Sequence, residues 1–196
     1  MIGGVIIAGG QSRRFGTDKR LAILPDGTRI IEKSVQNAAS ALASVIVALR
    51  DTDKVLAAEL TERFASQSHI LIIRAEDSAL GMGHTLANAI EYAPDWDAAL
   101  ILLADMPFIS ASTFQQLGDS FTAHQLSAPI IVPVYQGREG HPVLFSKHYF
   151  AEIGMLTGDK GARRIIQRYP ERVVHLPVSD PGVIQDIDTP EDLLKL

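Results

Sequence analysis

A glycine-rich segment near the N-terminus combines residue types that bind phosphates. Residues 8–19 read AGGQSRRFGTDK, with three glycines and basic side chains that include Arg14 and Lys19. Glycine lets the backbone approach a ligand closely and turn its N–H groups toward anionic oxygens, while basic side chains neutralise phosphate charge. The segment predicts a triphosphate-binding loop, with Arg14 and Lys19 as catalytic cations and with candidate nucleotide ligands at Ala8, Gly9, Gly10, Ser12, Gly16 and Lys19.

The spacing of the glycines separates this loop from two common phosphate-binding motifs. It matches neither GxGxxG nor GxxxxGK[ST], since Lys19 lies three residues after Gly16. Dinucleotide oxidoreductases and P-loop hydrolases are therefore disfavoured. A solvated turn with surface arginines is the alternative that this segment alone leaves open.

Two acidic segments offer oxygen ligands for a hard cation. Asp105 directly follows the apolar run at 98–104, so we expect it at the carboxyl end of a central strand, where open α/β sheets bind ligands. Asp186 and Asp188 alternate along the chain and can point the same way. Because Mg²⁺ on a triphosphate needs only one or two protein carboxylates, we expect a Mg²⁺ site of Asp105 with Asp188 or Asp186. An isolated aspartate at a strand end is also typical of a cap or turn.

Later segments add candidates for substrate contacts. Asp77, Gly81 and Gly83 precede a predicted helix, and two glycines at a helix N-terminus suit a phosphate or a base edge. We assign these three residues to nucleotide binding. The candidates for acceptor binding, each with a structural or solvated role as the alternative, are His84, His141 and Arg163.

Alternating strands and helices must position these residues. Short apolar runs predict strands at 4–8, 44–49, 69–73, 98–104, 129–135 and 141–145, and a final strand is expected before Asp186. Helical spacing separates them at 30–42, 53–64, 84–93, 110–124 and 159–169. Thr189 and Pro190 predict the N-cap and first residue of a last helix. This alternation predicts an α/β fold with a largely parallel sheet covered on both faces.

Composition narrows the class of protein. The 196 residues, 46% of them hydrophobic, suffice for one core, so we expect a single domain over 1–196. A net charge of −5 argues against nucleic acid as a partner, and the absence of cysteine restricts any metal to oxygen or imidazole ligands. The chain has no apolar stretch of membrane-spanning length and no basic n-region at its start, so we expect a cytoplasmic protein without membrane association.

The order of these motifs resembles the molybdenum cofactor nucleotidyltransferases, a branch of the nucleoside-triphosphate transferases. The resemblance runs from about Gly3 to the C-terminus. It is carried by the glycine-rich loop, by DMP at 105–107, by GHP at 140–142 and by DIDTPED at 186–192. It implies a single Rossmann-like, doubly wound sheet and a reaction in which the terminal phosphate of molybdopterin attacks the α-phosphorus of a nucleoside triphosphate and releases pyrophosphate.

The resemblance also implies roles for the motif residues. The backbone from Ala8 to Gly10 would meet the base and sugar, Lys19 the phosphates, and Asp105 with Asp188 the Mg²⁺. Phosphate monoesters are already nucleophilic, so alignment and charge neutralisation suffice and no general base is needed. A molybdoenzyme or its chaperone would be the downstream partner.

Two branches of the family differ in their nucleotide. The segments at 81–84, 140–145 and 158–163 and the Asp186/Asp188 pair are similar to the cytidylyltransferases, whereas AGG at 8–10 and DK at 18–19 are similar to the guanylyltransferases. The greater number of matching segments favours CTP, with GTP as the alternative. We further expect that Gly9, lacking a Cβ, leaves room for a purine.

The sequence alone leaves two other functions open. A sugar-phosphate or lactyl-phosphate nucleotidyltransferase could use the same fold, and a noncatalytic module could bind the cofactor and deliver it to a partner enzyme, because fold alone does not define function.

Overall fold

One mixed eight-stranded sheet forms the centre of the protein. The computed structural model describes residues 1–10, 14–93 and 95–194. The strands are β1 (Ile2–Ile7), β2 (Val45–Arg50), β3 (Ile70–Ala75), β4 (Ala98–Leu103), β5 (Ile130–Tyr135), β6 (Arg138–Glu139), β7 (Val143–Ser146) and β8 (Val173–Pro177). Their order is β3-β2-β1-β4-β7-β5-β6, and β8 pairs with β5.

Most pairings in the sheet are parallel, as predicted. The pairs β1–β2, β2–β3, β1–β4 and β5–β8 are parallel, whereas β7 runs antiparallel to both β4 and β5. The final strand expected before Asp186 is β8, which ends at Pro177. A 3-10 turn, Pro181–Ile184, lies between β8 and Asp186.

Helices cover both faces of the sheet. They are α1 (Ile30–Ala39), α2 (Lys54–Arg63), α3 (Met82–Ile90), α4 (Ala111–His124), α5 (Phe150–Ile153), α6 (Arg163–Arg168) and α7 (Pro190–Leu193). The helix predicted over 159–169 is shorter than expected. Gly158 and Gly161 have φ angles of +70° and +51°, left-handed conformations that an α-helix cannot contain, so α6 begins only at Arg163.

Two apolar cores lie on the two sides of the sheet. Ile6 packs into the core beneath α1, α2 and α4, whereas its neighbours Val5 and Ile7 pack into the core beneath α3, α5 and α6. Successive strand residues point to opposite faces, so a strand buried on both sides must be apolar throughout. This confirms the doubly wound α/β class predicted from the continuous apolar runs.

The strand order creates a crevice beside β1. The chain proceeds outward from β1 to β2 and β3, then returns to place β4 on the other side of β1. At such a reversal the loops after the two strands diverge and leave a cleft at their carboxyl ends. The glycine-rich loop follows β1 and Asp105 follows β4, so both border this cleft. In the part of the chain that the structure describes, no helix is long and apolar enough to cross a membrane.

Candidate active site

A pocket of about 550 Å³ opens at the carboxyl ends of β1 and β4. The loop after β1 contributes Gly9 and Gly10 to its lining, and residues 78–82 before α3 form the facing wall. The charged residues of the lining are Arg14, Lys19, Asp105, Asp159 and Asp188. The pocket thus joins five segments that are far apart in sequence.

Lys19 links two aspartates at the floor of the pocket. Its Nζ lies 2.6 Å from Oδ2 of Asp105 and 2.6 Å from Oδ1 of Asp188. Arg14 adds a second cation, with NH1 2.9 Å from Oδ2 of Asp188. Burial lowers the pKa of Lys19, but hydrogen bonds and charge from the two carboxylates outweigh it, and the net pKa lies above the ordinary 10.5. The ammonium is therefore charged at neutral pH.

A backbone contact brings the C-terminal segment to Asp105. The amide of Ile187 donates to the carbonyl of Asp105 over 2.9 Å, and the Ile187 side chain is buried against Phe15 and Ile30. The carboxylate of Asp192 accepts hydrogen bonds from the backbone amides of Asp188 and Thr189, which confirms the predicted cap of α7. Asp188 is thereby held facing Lys19.

Asp105 and Asp188 suit a divalent cation. One Asp105 oxygen, Oδ1, is buried and has no hydrogen-bond partner among the residues that the structure describes. A buried carboxylate oxygen without a donor is costly unless a ligand completes it. The Lys19 ammonium already places positive charge between the two carboxylates. Within the described ranges no cluster of three or more His, Cys, Asp or Glu residues could hold a metal, so further ligands would be nucleotide oxygens and water.

Asp186 is placed differently from its neighbour. It is exposed, and it forms no ion pair with any residue that the structure describes. Its charge acts on His141 instead, where it favours the protonated imidazole. The structure thus brings Asp188, and not Asp186, to Lys19.

The first residues of the glycine-rich loop differ in what their backbones contact. Both backbone groups of Ala8 bond within the protein: its N–H donates to Ala48 over 2.9 Å and its carbonyl accepts from Arg20 over 2.7 Å. Gly9 and Gly10 line the pocket instead. A Cβ on Gly9 would point at Thr85, 3.0 Å from Oγ1, while one on Gly10 would meet open space. The expectation that Gly9 leaves room for a purine is therefore wrong, because its missing Cβ faces α3.

A buried ion-pair cluster supports this loop, and the sequence analysis missed it. The Arg20 guanidinium is 4% exposed, with Nε 2.8 Å from Oδ1 of Asp18 and NH2 2.9 Å from Oδ1 of Asp53. Arg50 donates to the same two carboxylates. Burial lowers the pKa of Arg20, but Asp18 and Asp53 more than compensate and hold it above its usual value. No local pattern distinguishes Arg20 from a surface arginine, so the sequence carries no signal for it.

Close packing explains why glycine occurs at positions 81 and 83, at the start of α3. The amide of Gly83 donates to the carbonyl of Gly158 over 2.7 Å, and a Cβ on Gly83 would lie 2.9 Å from that oxygen. Gly81 has a φ of +127°, and a Cβ there would meet the backbone of Gly158 at 2.4 Å. Both glycines let the 157–159 segment approach α3. Gly81 also lines the pocket, whereas the Gly83 amide is already engaged.

A sequence model of the MobA-like NTP transferase domain matches residues 4–173. The chain belongs to this family. It is therefore a nucleotidyltransferase of the MobA-like type.

Two sequence relatives and one solved structure illustrate the family likeness. The purine catabolism protein PucB of Bacillus subtilis (strain 168) is 29% identical over 197 residues, covering 96% of this chain and 92% of its own. The molybdenum cofactor cytidylyltransferase of Escherichia coli (strain K12) is 27% identical over 190 residues, covering 97% and 92%. Rv0371c of Mycobacterium tuberculosis H37Rv, solved in complex with manganese, superimposes with a TM-score of 0.75 at 25% identity, covering 100% and 97%.

The three acceptor-binding candidates of this MobA-like transferase, His84, His141 and Arg163, are absent from the described pocket lining. His84 accepts a hydrogen bond at Nδ1 from the Gly158 amide over 3.2 Å, and this bond links α3 to the loop between α5 and α6. Burial lowers the pKa of His141, although a hydrogen bond with Ile101 and two carboxylates oppose it, so its imidazole is neutral. Its Nδ1 is buried without a partner in the described parts of the chain. Arg163 is exposed at the start of α6.

Two other candidates, Asp77 and Gly16, are absent from the described pocket lining, and one charged residue of that lining was overlooked. Asp77 and Gly16 are exposed positions with positive φ angles, and Ser12 lies outside the described residues. Asp159 lines the pocket although the sequence analysis assigned it no role. Its position after Gly158, in a motif shared with cytidylyltransferases, was the available signal.

Proposed function

We propose that this enzyme transfers a nucleoside monophosphate, with CTP as the preferred donor, to the phosphate of a molybdopterin-type acceptor and releases pyrophosphate. The observation that carries the proposal is the convergence of Lys19, Asp105 and Asp188 at the floor of a pocket lined by Gly9 and Gly10. Cations and metal-binding carboxylates beside an open glycine backbone are what triphosphate chemistry requires.

The transfer itself needs little covalent participation from the protein. An oxygen of the acceptor phosphate forms a bond to the α-phosphorus, and the bond from the α-phosphorus to the bridging oxygen of the β-phosphate breaks. The electron pair leaves with pyrophosphate. Lys19 and Arg14 neutralise the charge that grows on the phosphate oxygens, and the Gly9–Gly10 backbone aligns the nucleotide.

The charge of the pocket supports a divalent cation in the reaction. Its described lining carries three carboxylates, Asp105, Asp159 and Asp188, but only two cations, Arg14 and Lys19. Such a surface repels a triphosphate unless further positive charge accompanies it. We assign Mg²⁺ to Asp105 and Asp188, which would hold it, and there it would supply positive charge that stabilises the negative phosphate groups. The manganese in the complex of Rv0371c supports a divalent metal in this fold.

Similarity to the E. coli molybdenum cofactor cytidylyltransferase supports the general transfer reaction, and the segments at 81–84, 140–145 and 158–163, which resemble the cytidylyltransferases, favour CTP and a molybdopterin-type acceptor. We infer that the whole chain acts as one domain. Asp188 lies beyond the family match at 4–173 yet pairs with Lys19, so the C-terminal segment belongs to the same site. We also place the enzyme in the cytoplasm, where its product passes to a molybdoenzyme or its chaperone.

Pyrophosphate release tests the proposal. The purified protein is incubated with Mg²⁺ and CTP, GTP, UTP or ATP, with and without molybdopterin. We expect release only with molybdopterin, and a kcat/KM for CTP at least about tenfold above that for GTP, or about 1.4 kcal/mol.

Each alternative gives its own result in this assay. A tenfold preference for GTP would replace the cytidylyl assignment by guanylyl. Release with sugar phosphates or lactyl phosphate, and not with molybdopterin, would overturn the acceptor. Nucleotide or cofactor binding without any release would identify a delivery module.

A further inference from the structure

The position of Lys19 has a consequence for metal binding. Of the four carboxylate oxygens on Asp105 and Asp188, three contact protein cations: two contact the Lys19 ammonium and one contacts Arg14. The fourth, Oδ1 of Asp105, is buried. A cation arriving from solvent therefore finds no oxygen of this pair both exposed and free of a protein cation.

The balance of charge opposes a metal that arrives alone. Two carboxylates and two protein cations, Lys19 and Arg14, already neutralise one another. A divalent cation would have to displace the ammonium from two charge-assisted hydrogen bonds of 2.6 Å, in a position where the Lys19 side chain is only 11% exposed.

A triphosphate changes that balance. It brings about four negative charges, so an ammonium that leaves the carboxylates gains phosphate oxygens in their place. Lys19 sits on a flexible four-carbon chain at the start of a short 3-10 turn, Lys19–Leu21, at the edge of the same pocket. It can therefore exchange partners without movement of the sheet.

We propose that Lys19 competes with the metal for Asp105 and Asp188, so that the divalent cation binds this enzyme tightly only together with the nucleotide. This inference rests on the proposed function, because it concerns the same metal and the same triphosphate. Binding free energies are reciprocal, so the metal strengthens nucleotide binding by the same factor by which the nucleotide strengthens metal binding. This competition would keep Asp105 and Asp188 free of metal until the nucleotide binds.

Mn²⁺ binding without any nucleotide tests the competition directly. The electron paramagnetic resonance signal of free Mn²⁺ is titrated with wild type, Lys19→Met and Lys19→Gln. We expect both variants to bind Mn²⁺ at least about tenfold more tightly than wild type, because the competing ammonium is gone. The double variant Lys19→Met/Asp105→Asn should lose this gain, which assigns the bound ion to the aspartate pair.

Lys33→Met is the matched control. Lys33 on α1 also pairs with an aspartate, Asp26, over 2.8 Å, but on the surface away from the pocket. Its removal should leave Mn²⁺ affinity unchanged, which excludes a general effect of lost positive charge. Thermal melts establish that each variant is folded.

The outcomes separate this inference from the proposed function. Mn²⁺ affinity that stays equal or falls in both folded Lys19 variants overturns the competition, whatever the pyrophosphate assay shows. Tighter Mn²⁺ binding in both variants, with no pyrophosphate release from wild type under any condition, supports the competition and refutes the transferase assignment.

Discussion

Two ion-pair clusters adjoin the glycine-rich loop, and they differ in how completely their carboxylate oxygens are hydrogen-bonded within the protein. The open cluster, formed by Arg14, Lys19, Asp105 and Asp188, faces the pocket, and Oδ1 of Asp105 has no donor among the residues that the structure describes. The closed cluster comprises Asp18, Arg20, Arg50 and Asp53, and every carboxylate oxygen in it accepts a hydrogen bond. Residues 18–20 contribute to both clusters: Lys19 belongs to the open cluster, and Asp18 and Arg20 belong to the closed cluster.

The difference indicates what each cluster can do. None of the four residues of the closed cluster belongs to the described pocket lining, and all their carboxylate oxygens are bonded within the protein, so this cluster holds the chain in place. Arg20 within it bonds the Ala8 carbonyl and thereby fixes the start of the loop. An incompletely bonded carboxylate next to a pocket is poised to gain a partner. Consecutive residues, Lys19 and Arg20, therefore serve ligand chemistry and loop structure respectively.

The largest expected effect breaks the closed cluster. Arg20→Met should lower the free energy of unfolding by about 3–5 kcal/mol, because it leaves Asp18 and Asp53 without their buried cation. Urea denaturation of purified protein measures it. Arg50→Met is the matched control: Arg50 is more exposed, and Asp18 and Asp53 keep Arg20, so a loss of only about 1 kcal/mol is expected. Equal losses would show that Arg20 contributes no more to stability than the more exposed Arg50.

Substitutions in the open cluster should lower enzymatic activity rather than stability. Asp105→Asn and Asp188→Asn should each lower kcat/KM more than about 100-fold, because each removes a charged oxygen ligand for the metal. Melting temperatures should stay close to wild type. Asp186→Asn provides the comparison, since Asp186 is exposed and forms no ion pair with a described residue; a change below about threefold is expected. Near-normal turnover of Asp105→Asn would remove that residue from catalysis.

Acid should weaken the closed cluster. Burial raises the pKa values of Asp18 and Asp53, but the hydrogen bonds and charge of Arg20 outweigh it, and both lie below the ordinary 3.8. Groups with depressed folded-state pKa values stabilise fully above the unfolded value and lose that contribution as pH falls through the folded value. Unfolding free energies from about pH 5 downward should therefore fall less steeply in Arg20→Met than in wild type. Parallel curves would contradict this.

The smallest effect concerns the two glycines of the pocket wall. Gly9→Ala should cost about 1 kcal/mol of stability, because its Cβ would press on the Oγ1 of the buried Thr85. Gly10→Ala, whose Cβ meets open space, should be nearly neutral in stability. The ratio of kcat/KM for CTP and GTP should change more in Gly10→Ala, since only that methyl group points away from α3. A larger change in Gly9→Ala would restore the steric role first expected of it.

Local patterns were sufficient to predict the sheet and the residues around its crevice. Apolar runs located β1 to β5 and β7, because strands covered on both faces must be apolar at every position. Lys19, Asp105 and Asp188 were selected because each follows an element that ends at the crevice, and the structure places them within hydrogen-bond distance. Their catalytic roles stay predictions. The bounds of β6 and β8 were not predicted, because β6 has only two residues and β8 is partly exposed, so neither forms a continuous apolar run.

The sequence by itself determined the α/β class, the glycine-rich loop and the acids that border it, since these depend on neighbouring residues and on the period of the apolar pattern. Only the tertiary structure decided that Asp188 and not Asp186 meets Lys19, that Gly9 faces Thr85, and that Arg20 is buried. Each of these depends on a partner more than 30 residues away in the chain. Such partners meet only when the helices and strands pack, and nothing in the local pattern of residues records where they will lie.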